Sequence, residues 1–218
     1  MIQLDIVSDP ICPWCYIGKT KLDAAMAEAG DTPFDIRWRI FQLNPDMPAD
    51  GMDRRTYLET KFGGPDRAAQ VYGRIEAAAE EAGLQVAFDR IARTPNTLDA
   101  HRLIHWAGTT GHQQPVVDAL FRRYFVDGDD ISDRHVLADI AEGAGMDRSV
   151  VIELLAGDAD RELLQEQDEA ARRMGVTGVP CFIVDGRYVI QGAQNVETWR
   201  SVIAELTTAL AEGRPEAR

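Results

Sequence analysis

The residues with the clearest chemistry are two cysteines separated by two positions, in the run Cys12-Pro13-Trp14-Cys15. They stand where a predicted strand over 2–8 gives way to a predicted helix over 12–28. At a helix start, unpaired backbone N–H groups and the positive end of the helix dipole stabilise a thiolate, the form of cysteine that attacks. The pattern therefore predicts a redox-active disulfide in which Cys12, nearer the helix start, attacks and Cys15 resolves.

Two other interpretations of the pair have to be weighed. A structural zinc site needs four ligands, and the remaining candidates are Cys181 together with His101 and His105, which lie one helical turn apart. Cys-x-x-Cys between a strand and a helix is typical of redox sites, so we expect no metal. Two inert core cysteines are also disfavoured, because Pro13 and Trp14 make a poor interior for a buried helix start.

Composition, charge and the N-terminal sequence limit the possible partners and the cellular location. The 218 residues are 45% hydrophobic and 27% charged, as in ordinary globular proteins, and suit one domain with a sizeable insertion. The net charge of −13 argues against nucleic acid or an anionic membrane as partner. No run approaches the ~20 apolar residues of a membrane span. Met1 leads directly into a strand without a basic, apolar leader, which indicates either that a leader has been removed or that the protein is cytoplasmic, and Met1 itself favours the cytoplasm. We also expect a monomer or a homodimer.

The elements around the pair follow from periodicity. Alternating residues over 2–8 and 34–41 predict two strands that flank the first helix, as a parallel crossover unit requires. Strands over 181–185 and 188–190 flank Gly186 as a hairpin, a helix over 197–211 follows, and the tail over 212–218 is expected to fray. Helical spacing predicts seven intervening helices, over 54–61, 66–82, 97–107, 115–125, 133–144, 148–156 and 160–174.

Two helix starts carry predicted caps. Asn96 and Ser132 are natural N-cap residues for the helices that follow them, and Asp99 is placed for the return contact of a capping box.

This order of elements resembles the thioredoxin-like fold, an α/β fold, carrying a large all-helical insertion. It is similar to the DsbA-like oxidoreductases, and most similar to their cytosolic FrnE type. The resemblance divides the chain into a first thioredoxin-like half at 1–44, a helical insertion at 45–174 and a second half at 175–218. It is carried by the cysteine run with Tyr16-Ile17-Gly18-Lys19, by Thr177-Gly178-Val179-Pro180 and by the stretch from Pro95 to Leu103.

The resemblance implies roles for several residues. It implies a cis Val179–Pro180 bond beside the cysteines, and these two residues, with Pro13 and Trp14, are expected to bind the substrate. The alternative, a plain proline at the start of a strand, is disfavoured, because a trans proline there would only lose a hydrogen bond of the sheet. It implies no cofactor beyond the redox-active disulfide, with glutathione as a candidate co-substrate and a thiol- or disulfide-containing protein or small molecule as partner.

Trp14 departs from the strongly oxidising members of the family, which have a histidine next to the second cysteine. The indole offers one N–H and no charge. We therefore expect a moderate potential, between the values of about −270 mV for thioredoxin and about −120 mV for DsbA.

Three further residues are accessory candidates. Cys181, directly after the proline, is either a third redox sulfur or a small buried cysteine that points away, and we favour the second because strand residues alternate faces. Asn96 is explained by helix capping alone. His101 is explained as a hydrogen-bonded structural residue, although the resemblance implies that Asn96 and His101 face the cleft between the insertion and the thioredoxin-like part.

Three candidate functions follow from these residues. The leading one is disulfide exchange or isomerisation by a thiol–disulfide oxidoreductase. The second is a glutathione-dependent isomerase or transferase of the hydroxychromene-carboxylate isomerase or kappa-class type, in which a single nucleophile activates glutathione; both Cys12 and Cys15 argue against it. The third is a redox-switched chaperone or a soft-metal binder that uses Cys12, Cys15 and Cys181.

Overall fold

The sheet that carries the cysteine pair is built from both ends of the chain in the computed structural model, which describes residues 1–30 and 33–211. The predicted fraying over 212–218 lies outside these residues. The strands are β1 Ile2–Ser8, β2 Phe34–Ile40, β3 Met52–Asp53, β4 Arg93–Thr94, β5 Cys181–Val184 and β6 Tyr188–Gln191. Four of them form the sheet in the order β2-β1-β5-β6, and the short strands β3 and β4 pair separately.

The register of the sheet agrees with the predicted crossover unit. β1 and β2 run parallel with Ile2 opposite Phe34, and β5 pairs antiparallel with β1, so that Cys181 lies opposite Val7. β6 completes a hairpin with β5, as predicted around Gly186. Because β1 lies in the middle of the sheet, the loop that leaves it carries Cys12 next to the start of β5.

Nine α-helices lie in the described part of the chain, each within three residues of its predicted range. Sequence periodicity did not indicate the β3–β4 ladder or the π-helical turn at Arg123–Asp127 that continues the fifth helix. The helices are α1 Pro13–Ala29, α2 Arg54–Phe62, α3 Pro65–Glu81, α4 Leu98–Thr110, α5 Gln113–Arg122, α6 Arg134–Gly143, α7 Arg148–Ala156, α8 Arg161–Arg173 and α9 Val196–Ala211. None of these helices is long and apolar enough to cross a membrane.

The caps correct two predictions. Asp133, not Ser132, is the N-cap of α6, and its carboxylate accepts the His135 N–H at 2.7 Å. Ser132 donates its own N–H to Asp130 instead. A carboxylate outcompetes a hydroxyl here because it accepts a stronger, charge-assisted hydrogen bond.

At the start of α4, Thr97 occupies the N-cap position, and Asn96 accepts the Leu98 N–H at 2.9 Å from one residue further back. Among the described residues, Asp99 makes no return contact of a capping box. It binds Arg102 and Arg161 instead, because two guanidinium groups lie within reach of its carboxylate.

One buried cluster joins the sheet to the inserted helices. It contains β1 side chains such as Leu4, both Cys12 and Cys15, and the aromatic rings of α5 and its π-helical turn. Tyr16 stacks on Phe121 with 5.2 Å between ring centroids. The helix that carries the cysteines therefore packs against both the sheet and the inserted helices. The division of the chain into 1–44, 45–174 and 175–218 stays a prediction.

Candidate active site

Cys12 is the N-cap residue of α1, and Pro13 fills the first helical position. Proline suits that position because its missing N–H would be unpaired there in any case. The Cys12 N–H donates to the Asp9 carbonyl oxygen at 2.9 Å, which closes the loop between β1 and α1. The cysteines are 4% and 1% exposed, whereas Trp14 between them is 40% exposed. Position at the helix start, more than exposure, distinguishes the two sulfurs.

Cys15 lies one turn behind and is held as a thiol. Burial raises its pKa well above the usual value, and the hydrogen bond with Cys12 and the charge of Cys12 raise it further. The backbone N–H of Asp9 acts in the opposite direction by stabilising the thiolate. The pair is therefore asymmetric, with one sulfur at the helix start and the other in a dry, thiol-favouring position.

The proline loop contacts the first sulfur directly. The Val179–Pro180 peptide bond is cis, as the resemblance implied. The Cys12 thiol donates to the Val179 carbonyl oxygen, with 3.6 Å between sulfur and oxygen. Gly18 permits this approach, since a Cβ there would lie 3.1 Å from Pro180 Cγ and 3.3 Å from Ala193 Cα. The close packing of α1 against the proline loop therefore explains why a glycine stands at this position of the Tyr16–Lys19 run.

Asp9 is a site residue that the sequence reasoning missed. Its side chain is fully buried in the loop between β1 and α1. The carboxyl accepts the Leu43 N–H at 2.7 Å and the Ile11 N–H at 3.3 Å. Burial raises its pKa to about 7, against the lowering effect of these two hydrogen bonds. An acidic residue three positions before the attacking cysteine was the signal that could have found it.

His101 of α4 lies beside Asp9. The ring is buried, and Nε2 lies 3.9 Å from Asp9 Oδ1 with no hydrogen-bond partner in the described part of the chain. Burial lowers its pKa to about 3, although the backbone carbonyl of Phe41 favours the protonated ring. Between these two pKa values the acid is protonated and the histidine is neutral, so the contact is not an ion pair.

Asn96 holds the loop after β2 against α4. Its Nδ2 donates to the Met47 carbonyl oxygen at 2.7 Å, and its Oδ1 accepts from Gln42 Nε2 at 3.3 Å and from the Leu98 N–H. None of these bonds reaches the cysteine pair.

Cys181 packs away from the other two sulfurs. It is buried in a separate cluster with Val7, Phe41, Ala171 and Val176, while its neighbour Phe182 belongs to the cluster that contains Cys12. Gln191 Nε2 donates to its sulfur at 3.3 Å. No set of three or more His, Cys, Asp or Glu side chains within 1–30 and 33–211 is arranged to hold a metal ion.

A buried cation on α2 is a second missed feature. Arg54 donates to the hydroxyl groups of Tyr124 at 2.9 Å and Tyr72 at 2.8 Å, and forms no ion pair with a carboxylate among the described residues. Burial raises the pKa of Tyr72, and the charge of Cys12 contributes to that rise. The cation thus belongs to the surroundings of the redox pair, where it favours negative charge.

The family follows from a comparison with family models. The DSBA-like thioredoxin domain matches residues 3–204 of the chain. The chain belongs to the DSBA-like thioredoxin domain family. Its assignment to the FrnE type within this family stays a prediction.

Solved structures of similar fold agree with the DSBA-like assignment. A probable DsbA oxidoreductase from Streptomyces coelicolor is 31% identical, with a TM-score of 0.84 over 100% of this chain and 94% of that one. A 2-hydroxychromene-2-carboxylate isomerase is 18% identical, with a TM-score of 0.73 over 97% of this chain and 99% of that one. The cytosolic disulfide reductase DsbM from Pseudomonas aeruginosa, solved with GSH, is 21% identical, with a TM-score of 0.66 over 96% and 99%.

Proposed function

We propose that this DSBA-like protein is a thiol–disulfide oxidoreductase that works through Cys12 and Cys15. The observation that carries the proposal is the placement of Cys12 at the start of α1, against the Val179 carbonyl oxygen, with Cys15 buried one turn behind. The helix start stabilises the attacking thiolate. Burial keeps the second sulfur protonated until it is needed.

In the reducing direction, the Cys12 thiolate attacks a substrate disulfide, and one substrate thiolate leaves. Cys15 loses its proton and attacks the Cys12 sulfur, which forms the Cys12–Cys15 disulfide and releases the second substrate thiolate. The substrate is reduced by two electrons and the protein is oxidised. In the oxidising direction the same bonds form and break in reverse, so the working direction depends on the potential and the partner.

The substrate that we propose is a thiol- or disulfide-containing protein or small molecule. The half-exposed Trp14, with Pro13, Val179 and Pro180, would line the approach to Cys12. Glutathione is a candidate co-substrate, since a protein of the same fold has been solved with GSH. That protein is a cytosolic disulfide reductase, which supports a cytoplasmic location for this one.

Equilibration in glutathione buffers, followed by thiol trapping and mass spectrometry, tests the proposal. We expect one two-electron transition at Cys12 and Cys15, at a potential between about −270 and about −120 mV. Cys181→Ser is the matched control and should keep the transition, because this sulfur packs in a different cluster. The absence of an intramolecular disulfide at any glutathione ratio would refute the proposal.

The isomerase or transferase alternative rests on the shared fold with 2-hydroxychromene-2-carboxylate isomerase. Cys15→Ser separates the two functions, since it abolishes turnover that needs a resolving cysteine and spares a single-nucleophile transferase. A metal ion that copurifies in stoichiometric amount would instead support the metal-binding alternative.

A further inference from the structure

Arg54, the first residue of α2, is a buried cation whose charge no described residue neutralises. The side chain is 7% exposed. Its Nη1 donates to the Tyr124 hydroxyl at 2.9 Å and its Nη2 to the Tyr72 hydroxyl at 2.8 Å. The guanidinium carbon also lies 5.1 Å from the ring centroid of Tyr72 and 5.8 Å from that of Tyr124. Both partners are uncharged, so the cation is held in place without a counter-ion.

The hydrogen-bonding capacity of this guanidinium is also used only in part. A guanidinium carries an N–H on Nε and a second N–H on each Nη. Nε of Arg54 is buried and has no hydrogen-bond partner within 1–30 and 33–211. A buried charge or donor that lacks a partner costs free energy. A carboxylate would supply what is missing, because it carries a negative charge and accepts two parallel N–H bonds from a guanidinium.

Arg54 lines a pocket of about 470 Å³ between the start of α2, the start of α3 and the residues that lead into β4. Arg54, Ala68 and Ile91 are buried and form the inner part of this pocket. A cation whose inner neighbours are apolar is complementary to a ligand with an acidic end and an apolar body. The remaining apolar residues of the lining are Leu58, Pro65 and Ala92.

Two carboxylates at the rim of the pocket, those of Asp53 and Glu59, are bound to other groups. Asp53 is the N-cap of α2 and accepts the Thr56 N–H and the Thr56 hydroxyl, each at 2.8 Å. Glu59 accepts from Arg55 Nε at 2.7 Å. Solvent screens these charges at the surface, whereas the charge of Arg54 is buried and screened much less. The cation therefore dominates the electrostatics of the inner part of the pocket.

We propose that this pocket binds a small carboxylic acid with an apolar body, in its anionic form. The carboxylate pairs with the guanidinium of Arg54, and the apolar body packs against Leu58, Ala68 and Ile91. The inference does not depend on the proposed redox function, because neither Cys12 nor Cys15 lines the pocket.

Isothermal titration calorimetry of the full chain with sodium octanoate tests the proposal. We expect a single octanoate to bind per chain, at least about 10-fold more tightly than octanamide, which has the same apolar body without the charge. Intermolecular NOEs from the octanoate chain to the methyl groups of Leu58 and Ile91 should place the ligand in the pocket. Absence of octanoate binding, equal affinities for the two ligands, or NOEs to other methyl groups alone would overturn the inference.

Arg54→Met removes the cation and keeps an apolar side chain. We expect this variant to bind octanoate at least about 10-fold more weakly and to lose the preference for octanoate over octanamide. Arg67→Gln is the matched control, since Arg67 is an exposed cation of α3 next to Ala68 that does not line the pocket. This control should bind octanoate as the wild type does.

Unchanged octanoate affinity in Arg54→Met contradicts the inference. Equal weakening in Arg54→Met and Arg67→Gln also contradicts it, because that result indicates attraction to surface charge in general. Circular dichroism establishes that each variant is folded. If Arg54→Met does not fold, the comparison of octanoate with octanamide on the wild-type protein, together with the NOEs, decides the question.

Discussion

At the scale of single residues, Asp9 and His101 make opposing contributions to stability as the pH changes. The folded pKa of Asp9 is raised from 3.8 to about 7, so its contribution is complete below pH 3.8 and is lost as the pH rises through about 7. The folded pKa of His101 is lowered from 6.5 to about 3, so its contribution is present above pH 6.5 and is lost as the pH falls toward 3. Between these limits the two slopes oppose each other.

Single substitutions at Asp9 and His101 should therefore change the pH dependence of the free energy of unfolding in opposite directions. Between pH 6.5 and pH 5, relative to the wild type, His101→Gln should gain about 2 kcal/mol in free energy of unfolding and Asp9→Asn should lose about 2 kcal/mol. Urea unfolding followed by tryptophan fluorescence at both pH values measures this. His135→Gln, at an exposed histidine, is the control and should keep the wild-type slope. Parallel slopes for all three variants would show that the buried pair does not titrate as described.

At the scale of elements, the packing of α1 against the proline loop depends on Gly18. A Cβ at this position would press on Pro180 and on the backbone of Ala193. Overpacking of this kind costs about 1–3 kcal/mol, which exceeds the ~1 kcal/mol that alanine gains over glycine inside a helix. Gly18→Ala should therefore lower the free energy of unfolding, by about 1 kcal/mol, in denaturant titrations.

Gly73→Ala is the matched control, because this α3 glycine has open space where the Cβ would stand. It should raise the free energy of unfolding by about 0.5–1 kcal/mol. An equal gain in Gly18→Ala would mean that the proline loop yields without cost.

At the scale of the whole molecule, the insertion and the sheet share one core and should unfold together. Phe121 of α5 is buried and stacks on Tyr16 beside the redox pair. Phe121→Ala should lower the free energy of unfolding by about 3–5 kcal/mol. The unfolding transition measured by far-UV circular dichroism and the one measured by alkylation of Cys15 should have the same midpoint. The half-buried Phe62 at the end of α2 provides a control, since Phe62→Ala should cost less. Separate transitions would show that the insertion is an independent unit.

The helices and sheet strands could be predicted because their signals are local. Alternation in β1 and β2, helical spacing from α2 to α8 and the glycine of the β5–β6 hairpin each lie within a short window of sequence. The features that were not predicted correctly have no such extended local signal. The β3–β4 ladder is two residues long in each strand, too short for periodicity, and the competition between Ser132 and Asp133 for the cap depends on carboxylate strength rather than on pattern.

By itself the sequence determined the α/β fold class and the position of Cys12 and Cys15, because a strand, a helix start and a Cys-x-x-Cys run are adjacent along the chain. Only the tertiary structure decided that Asp9 and His101 lie side by side and that Cys181 packs apart from the pair. It also decided that Arg54 is buried with no carboxylate partner among the described residues. Burial and contacts between residues remote in sequence arise from packing of the sheet against the inserted helices. The pKa values that set the chemistry depend on that burial.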